Sequence, residues 1–275
     1  MDHRPQAWGR PRDDVYGAYD ASYLNNSGPR TVTQSPVVTG TSVIAIKYKD
    51  GVVMAADNLA SYGSLARFTD VKRLRTFLDT TVIGFGGDVS DMQFLDRHLK
   101  ELATDESYEV EPTLDDEDDE ESSSSKPGHL NAANLFKYLQ KLMYQRRNSF
   151  DPLWNQILVA GLDSESKPFL ASVDLRGTSF TSPSLATGFG AALAQPIMRK
   201  YAGTEEDAAK LTREQAVEVV KECMKVLFYR DARSLDRYSI AVVNKDGIEL
   251  EEDQQLEKQS WAFAERIKGY GTQTV

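Results

Sequence analysis

The chain has 275 residues, 40% of them apolar and 27% charged, which describes an ordinary soluble globular protein. No apolar run approaches the roughly 20 residues that a membrane-spanning helix needs, so no membrane segment is predicted. Seven of the ten net negative charges lie in the acidic run Asp115–Glu121, and the remaining −3 argues against a nucleic-acid-binding surface.

The N-terminal part of the chain is predicted to be a leader followed by β-hairpins. Residues 1–32 are rich in polar residues, Gly and Pro without sustained periodicity, which is typical of a flexible leader. Thr41–Tyr48 and Gly51–Ala56 alternate around an Asp-Gly turn, the dipeptide favoured in tight hairpins. A second predicted pair of strands comprises Leu74–Leu78 and Thr81–Phe85.

A glycine-rich break and an acidic insertion follow. Gly84–Asp88 is predicted to end the second hairpin, with Ser90 as the N-cap of a helix that reaches about Leu102. Residues 103–128 are predicted to form a disordered surface insertion, because they hold the acidic run and the serines Ser122–Ser125. The sequence leaves open whether the insertion docks a regulator or assembly factor and whether its serines are phosphorylated.

The second half repeats the pattern of helices and strands. Helical spacing of apolar residues predicts a helix over 131–147, a second from about Gly188 to Tyr201, and a third that begins at a capping box formed by Thr212 and Gln215. The other predicted elements are the strands Gln156–Gly161, Pro168–Asp174, Gly177–Phe180, Tyr238–Asn244 and Ile248–Glu251, a short helix near Trp261–Ile267, and a tail.

These elements predict an α+β fold. Hairpins dominate and no βαβ alternation occurs, so the sheets are expected to be antiparallel. Helices grouped in pairs between blocks of strands favour a four-layer αββα sandwich, in which two stacked sheets are covered by helices on both outer faces. Neither an internal repeat nor a second folded domain is predicted.

Other features predict neither a metal site nor a cofactor site. Cys223 is the only cysteine, which excludes an internal disulfide and suits a reducing compartment such as the cytosol or nucleus. The three histidines, His3, His98 and His129, are scattered along the chain. Gly84–Gly87 lacks the Lys-Ser/Thr that would follow in a phosphate loop.

The junction Gly40-Thr41 stands at the head of the first hairpin and suggests a nucleophile. A threonine with a free α-amine carries nucleophile and general base on one residue, because the amine has a pKa near 8. Asp57 closes the second strand of the same hairpin. The dipeptide alone is common, so its weight depends on the segments around it.

Several ordered segments resemble the proteasome β-subunit family. The resemblance extends from about Thr33 to Ala264 without the acidic insertion, so residues 33–275 are interpreted as one proteasome β-type domain after the leader. It implies the fold of the N-terminal nucleophile hydrolases. The segments that carry it are Thr33–Pro36, the hairpin Thr41–Asp57, Tyr62–Phe68, Asn148–Trp154, Ser184–Pro196 and Tyr229–Ser234.

The resemblance also assigns a catalytic set and shows where this chain departs from it. Thr41 corresponds to the nucleophile, Asp57 to the first aspartate, and Asp231 and Ser234 to a later aspartate and serine. The lysine of active members is Arg73 here, and a guanidinium stays charged and cannot share a proton as an amine does.

A second departure lies in the Gly-Ser-Gly-Ser turn of active members, which is Gly188–Ala191 here and places Phe189 where a hydroxyl is expected. The Ser-Gly-Gly that follows the later aspartate is Ser234-Leu235-Asp236. We therefore expect no catalytic residues in this chain, only a vestigial pocket formed by Thr41, Asp57, Arg73, Phe189, Asp231 and Ser234.

The resemblance further implies a structural subunit of the 20S proteasome core in the cytoplasm and nucleus. Its expected partners are β subunits of the same and the opposite ring, α-ring subunits and assembly chaperones. The leader is expected to be cut before Thr33, which keeps Thr41 inside a peptide bond. The tail Tyr270–Val275 either reaches the opposite ring or is a frayed end. Two alternatives are an active threonine endopeptidase that uses Thr41 and a free-standing protein that binds through the acidic insertion.

Overall fold

Two antiparallel β-sheets form the centre of the fold in the computed structural model, which describes residues 35–109, 130–257 and 260–266. The predicted leader, the cut before Thr33, most of the acidic insertion and the C-terminal tail lie outside these ranges. Within them, no helix is long and apolar enough to cross a membrane.

The first sheet has eight strands in the order β10-β9-β8-β7-β1-β4-β5, with β6 also pairing with β7. The second has five strands in the order β11-β2-β3-β12-β13. The strands are β1 Val38–Gly40, β2 Val43–Tyr48, β3 Gly51–Asp57, β4 Ala60–Tyr62, β5 Leu65–Phe68, β6 Leu74–Phe77, β7 Thr81–Asp88, β8 Asn155–Leu162, β9 Pro168–Val173, β10 Ser179–Thr181, β11 Ser184–Ala186, β12 Arg237–Asn244 and β13 Gly247–Gln255.

Helices cover the outer faces of both sheets. Two long helices pack on the first sheet, and the remaining α-helices pack on the second. The helices are α1 Val89–Glu109, α2 Ala132–Asn148, α3 Gly190–Leu193, α4 Gln195–Arg199, α5 Glu205–Ala208 and α6 Arg213–Arg230, followed by a 3-10 helix at Ala262–Arg266. The predicted α+β sandwich of two antiparallel sheets is confirmed.

The strand β2 shows how the layers are built. Ile44 and Ile46 point to the helical layer and pack in one cluster with Val220 of α6. Val43 and Ala45 point to the other sheet, where they pack with residues such as Leu158. All six residues of the strand are buried because both of its faces are covered, which is why it reads as a continuous apolar run.

The start of α1 differs from the prediction. Gly84–Asp88 continues β7 as a strand, and Asp88 caps the helix through Oδ2, which accepts hydrogen bonds from the backbone N–H groups of Ser90 at 3.0 Å and Asp91 at 3.2 Å. Ser90 was therefore wrong as the N-cap. The helix also continues through Glu109, beyond the predicted end near Leu102 and into the segment predicted as insertion.

Two other predicted helices can be compared with the structure. The helix predicted from Gly188 to Tyr201 is divided into α3 and α4. The capping box at the start of α6 is confirmed, because Thr212 and Gln215 exchange hydrogen bonds between side chain and backbone.

The hairpin formed by β4 and β5 lies at one edge of the first sheet. Every residue from Tyr62 to Asp70 is exposed. Three of these are large and apolar, with exposed fractions of 56% for Tyr62, 56% for Leu65 and 45% for Phe68. The hairpin therefore presents an apolar surface and, among the residues that the structure describes, a strand edge with no pairing partner.

Candidate functional site

Thr41 lies between two strands that belong to different sheets. It follows β1 of the first sheet and precedes β2 of the second, so its amide nitrogen is part of the peptide bond to Gly40. Its hydroxyl donates a hydrogen bond of 2.6 Å to Oδ2 of Asp231. Asp231 is 4% exposed and directly follows α6.

Arg73 is the centre of the site and is 1% exposed. All five of its N–H groups have acceptors. Nε donates to the carbonyl oxygen of Asp57 at 3.0 Å, and Nη2 also donates to the Asp57 carboxylate. The other acceptors are the carbonyl oxygens of Thr41 at 2.9 Å, Phe85 at 3.3 Å and Ser42 at 2.9 Å.

This arrangement makes Arg73 a structural cation. A guanidinium offers five donors in a fixed plane, and here they connect β3, β7 and the chain at Thr41. The bond from Arg73 reaches the carbonyl oxygen of Thr41, whereas the hydroxyl of Thr41 is turned to Asp231. The cation therefore holds the backbone of the threonine without contacting its nucleophilic oxygen.

Asp57 balances the charge of Arg73 inside the protein. It is 2% exposed, and this burial raises the pKa of its carboxyl above the ordinary value, while the Arg73 guanidinium opposes the rise. Its Oδ2 accepts the backbone N–H of Leu59 at 3.2 Å. Each member of the ion pair thus also holds at least one backbone group.

Gly40 is in close contact with the same arginine. A Cβ atom on Gly40 would lie 2.9 Å from Nε of Arg73 and closer still to its Cδ. The guanidinium is fixed by its five hydrogen bonds and cannot move aside. The glycine before Thr41 therefore has a packing role in this chain, apart from any role in processing.

A cleft of about 710 Å³ opens beside Thr41. Gly40 and Thr41 form one side of it, Gly86 and Gly87 of β7 another, and Phe189 a third. The Phe189 side chain is 60% exposed, so a phenyl ring lies at the mouth of the cleft, as expected from the departure of this turn from the Gly-Ser-Gly-Ser of active members.

Other predicted site residues are placed apart from the cation. The Ser234 hydroxyl lies 3.1 Å from the carbonyl oxygen of Leu227 and 2.8 Å from that of Asp231, and its one hydrogen is shared between these two acceptors at the end of α6. Lys72, the neighbour of Arg73, pairs with Asp70 at 2.9 Å. The predicted set therefore divides into the connected group Thr41, Asp57, Arg73 and Asp231, the cleft residue Phe189, and the helix-end residue Ser234.

Two polar residues of the site were missed from the sequence. Ser42 accepts a hydrogen bond of 2.8 Å from the backbone N–H of Gly190 through its hydroxyl. Thr187 accepts one of 2.9 Å from the backbone N–H of Val43. Both hydroxyls fix the Gly188–Gly190 turn against β2. Their only sequence signal is a small polar residue beside a strand, which is too common to select them.

The strand β1 occupies a specific place in the first sheet. It lies between β4 and β7, with Thr39 opposite both Ser61 and Asp88 and with Gly40 opposite Gly87. A peptide that bound here as an added strand would need the same two edges. In this chain the residues before Thr41 already fill that place.

The part of the chain that the structure describes contains no group of three or more His, Cys, Asp or Glu residues able to hold a metal ion. The groups closest to Thr41 are its own hydroxyl, the buried carboxylates of Asp57 and Asp231 and the buried guanidinium of Arg73. Such groups are suited to orienting a hydroxyl and fixing backbone, and the base available to the Thr41 hydroxyl is Asp231.

Comparison with known proteins gives the family. The sequence matches the family described as proteasome subunit over residues 37–117 and 118–243. It is 47% identical over 277 residues to "Proteasome subunit beta type-7" of Saccharomyces cerevisiae, with both chains covered completely. It is 45% identical to "Probable proteasome subunit beta type-7" of Schizosaccharomyces pombe, covering 98% of this chain and 97% of the other.

A similar match extends to animals. "Proteasome subunit beta type-4" of Xenopus laevis is 38% identical over 245 residues, covering 89% of this chain and 93% of the other. The long sequence matches, the two-sheet sandwich and the position of Thr41 between the two sheets all point to one family. The chain therefore belongs to the proteasome β-subunit family, within the N-terminal nucleophile hydrolases.

Proposed function

We propose that this chain is a non-catalytic β subunit of the 20S proteasome core. In this function it completes the seven-membered β ring at its seventh position and contacts the opposite ring. It thereby encloses the chamber in which other subunits degrade proteins in the ATP- and ubiquitin-dependent pathway. Its partners are other β subunits, α-ring subunits and assembly chaperones, and its compartments are the cytoplasm and nucleus.

The observation that carries the proposal is the complete engagement of Arg73. An amine at this position could share or relay the proton of a threonine hydroxyl. The guanidinium instead keeps its charge and directs all five N–H groups to Asp57 and to three further carbonyl oxygens. General acid–base help is worth about 10²–10⁴-fold in rate, so its loss leaves little activity.

The position of β1 supports the same reading. As long as Gly40 remains attached, Thr41 has no free α-amine to act as a base. We propose that a neighbouring active subunit trims the leader near Thr33 during assembly, which leaves the strand Val38–Gly40 in place. The retained strand then excludes a peptide from the edges of β4 and β7.

One contact favours the alternative of an active threonine endopeptidase. The Thr41 hydroxyl lies 2.6 Å from the Asp231 carboxylate, which is within the range for proton transfer to a general base. That activity would also require cleavage at Gly40–Thr41, displacement of β1 and some role for Arg73.

The N-terminus of the chain in assembled particles separates the two functions. The proposal expects intact mass and N-terminal sequencing to give a start near Thr33. It also expects a Thr41→Ala chain to start at the same residue, because trimming is done by another subunit. A start at Thr41 that is lost in Thr41→Ala would establish self-cleavage and overturn the non-catalytic function.

A further inference from the structure

The side chain of Asp88 connects the residues before Thr41 to the first helix. Its Oδ1 accepts a hydrogen bond of 3.1 Å from the backbone N–H of Val37, directly before β1. Its Oδ2 accepts the N–H groups of Ser90 and Asp91 at the start of α1. Asp88 itself is 6% exposed. One buried carboxylate therefore binds both the residue before β1 and a helix N-terminus.

The backbone after Val37 is paired on both sides. Val38 and Thr39 pair with β4, and Thr39 and Gly40 pair with β7. Ser35 and Pro36, by contrast, are exposed. The Val37 side chain is 54% exposed, so it is the N–H group of Val37 that the protein holds. The contact to Asp88 thus lies between the exposed residues before Val37 and the paired strand β1.

We propose that Asp88 is a positioning residue that sets the limit of leader trimming. The inference rests on the proposed function, in which a neighbouring subunit cuts the leader. That cut hydrolyses one peptide bond with one water and leaves a carboxylate on the released fragment and an α-amine on the retained chain. A protease binds its substrate as an extended strand, so a bond within β1 is cut only after β1 leaves both neighbours.

The Asp88 contact opposes that departure at its first step. Opening from the N-terminal end must break the Val37–Asp88 hydrogen bond before it breaks the pairing of β1. The bond has a charged acceptor, which makes it stronger than a neutral one. Trimming therefore stops before Val37, and the strand Val38–Gly40 is kept.

A pair of variants at Val37 tests this without altering Asp88. Val37→Pro removes the N–H donor and fixes φ of residue 37, and Val37→Ala keeps the donor while changing the exposed side chain. Particles are purified from cells in which the variant is the only copy of this chain, and the N-terminus is determined by intact mass. We expect Val37→Ala to start before residue 37 as the unaltered chain does, and Val37→Pro to yield new starts within 37–40.

A second pair changes the acceptor. Asp88→Ser keeps a residue that caps helices well but lacks the second oxygen that reaches Val37. Ser90→Ala is the control, since it removes the hydroxyl that donates to Oδ2 of Asp88 and leaves Oδ1 in place to accept from Val37. The expected result is the same: new starts within 37–40 for Asp88→Ser and an unchanged start for Ser90→Ala.

Hydrogen exchange provides a readout that does not depend on trimming. In assembled particles we expect the amides of Val38–Gly40 to exchange about tenfold faster or more in Val37→Pro and Asp88→Ser, as loss of a hydrogen bond to a charged acceptor requires. Unchanged starts together with unchanged exchange in these two variants would overturn the inference. A start at Thr41 in the unaltered chain would overturn the proposed function instead, while the exchange rates would still test the contact.

Discussion

Arg73 leaves room only for a glycine at position 40, because its side chain fills the space in which a Cβ of residue 40 would lie. The contact joins the last residue of β1 to the buried cation of the site. It makes the glycine before Thr41 a requirement of packing.

The first prediction concerns this contact. Gly40→Ala is expected to destabilise the region by about 1–3 kcal/mol, as overpacking of a well-filled interior does. In an Arg73→Ala background the space is empty, and the same change is expected to cost much less. The difference is measured by hydrogen exchange of β1 and β2 amides in assembled particles. Equal costs in both backgrounds would show that the two residues are independent.

Loss of the cation itself should be more costly. Arg73→Met leaves the Asp57 carboxylate buried without its partner, which is expected to cost about 3–5 kcal/mol. The double variant Arg73→Met with Asp57→Asn should recover part of that loss, since no charge remains. The readout is the yield of assembled particles and the exchange protection of β2 and β3.

The pH dependence of the Arg73→Met defect follows from the direction of the Asp57 shift. Burial raises the pKa of Asp57 above its ordinary value, so the native protein binds that proton more tightly than the unfolded chain. The stabilising contribution of this group is present below its ordinary pKa and is lost as the pH rises through the native value. Arg73→Met removes the cation that opposes this rise in pKa. The stability that Arg73→Met loses relative to the double variant should therefore become smaller as the pH is lowered toward about 4, the ordinary pKa of an aspartate. A constant defect would contradict this.

A third prediction separates a structural from a catalytic role of Thr41. Thr41→Val removes the donor to the buried Asp231 carboxylate and is expected to cost about 1–3 kcal/mol. Thr41→Ser keeps the hydroxyl and should be close to neutral. Neither variant should change the peptidase activities of assembled particles. Loss of one of those activities in Thr41→Val alone would indicate that the hydroxyl is a nucleophile.

A fourth prediction concerns the single cysteine. Cys223 is buried in α6, and burial raises the pKa of its thiol from 9.0 to about 12. The thiol should therefore resist iodoacetamide at pH 8.5 in native particles and react after denaturation. Because the native pKa is the higher one, the stabilising contribution of this thiol is lost as the pH rises from about 9 toward 12. Rapid alkylation of the native chain would show that the helix opens easily.

The long elements could be predicted from the sequence because their signals are local. Both strands of the first hairpin are apolar runs joined by an Asp-Gly turn, and α6 begins with a capping box. Four short strands were missed, namely β1, β4, β5 and β11. Each has three or four residues and is stabilised by pairing within the sheet, which no local sequence pattern indicates. Thr39, for example, lies opposite Ser61 and Asp88.

Glycines explain another error. A break was predicted after a strand ending at Phe85, yet β7 continues through Asp88. A Cβ atom on Gly84 in this strand would overlap the side chains of Val43 and Met54. The glycines permit close packing of two sheets, which no local pattern indicates. Likewise, Asp88 and Ser90 are both good N-caps by residue type, and only the path of β7 selects Asp88.

The candidate site was predictable only as a set of residues. The sequence placed Arg73 at the position of a lysine, but it could not show that carbonyl oxygens from Thr41, Ser42 and Phe85 would meet around its guanidinium. Those acceptors are brought together by two sheets. The same holds for Thr187, whose hydroxyl binds a strand 144 positions away.

The exposed hairpin that carries Tyr62, Leu65 and Phe68 has a consequence for how much of this protein a cell can make without its partner subunits. A copy without neighbours carries an apolar strand edge that can pair with the same edge of another copy. Overproduction of this chain alone should therefore lead to aggregation or removal by quality control. Synthesis in proportion to its partner subunits would keep the pool of orphan copies small.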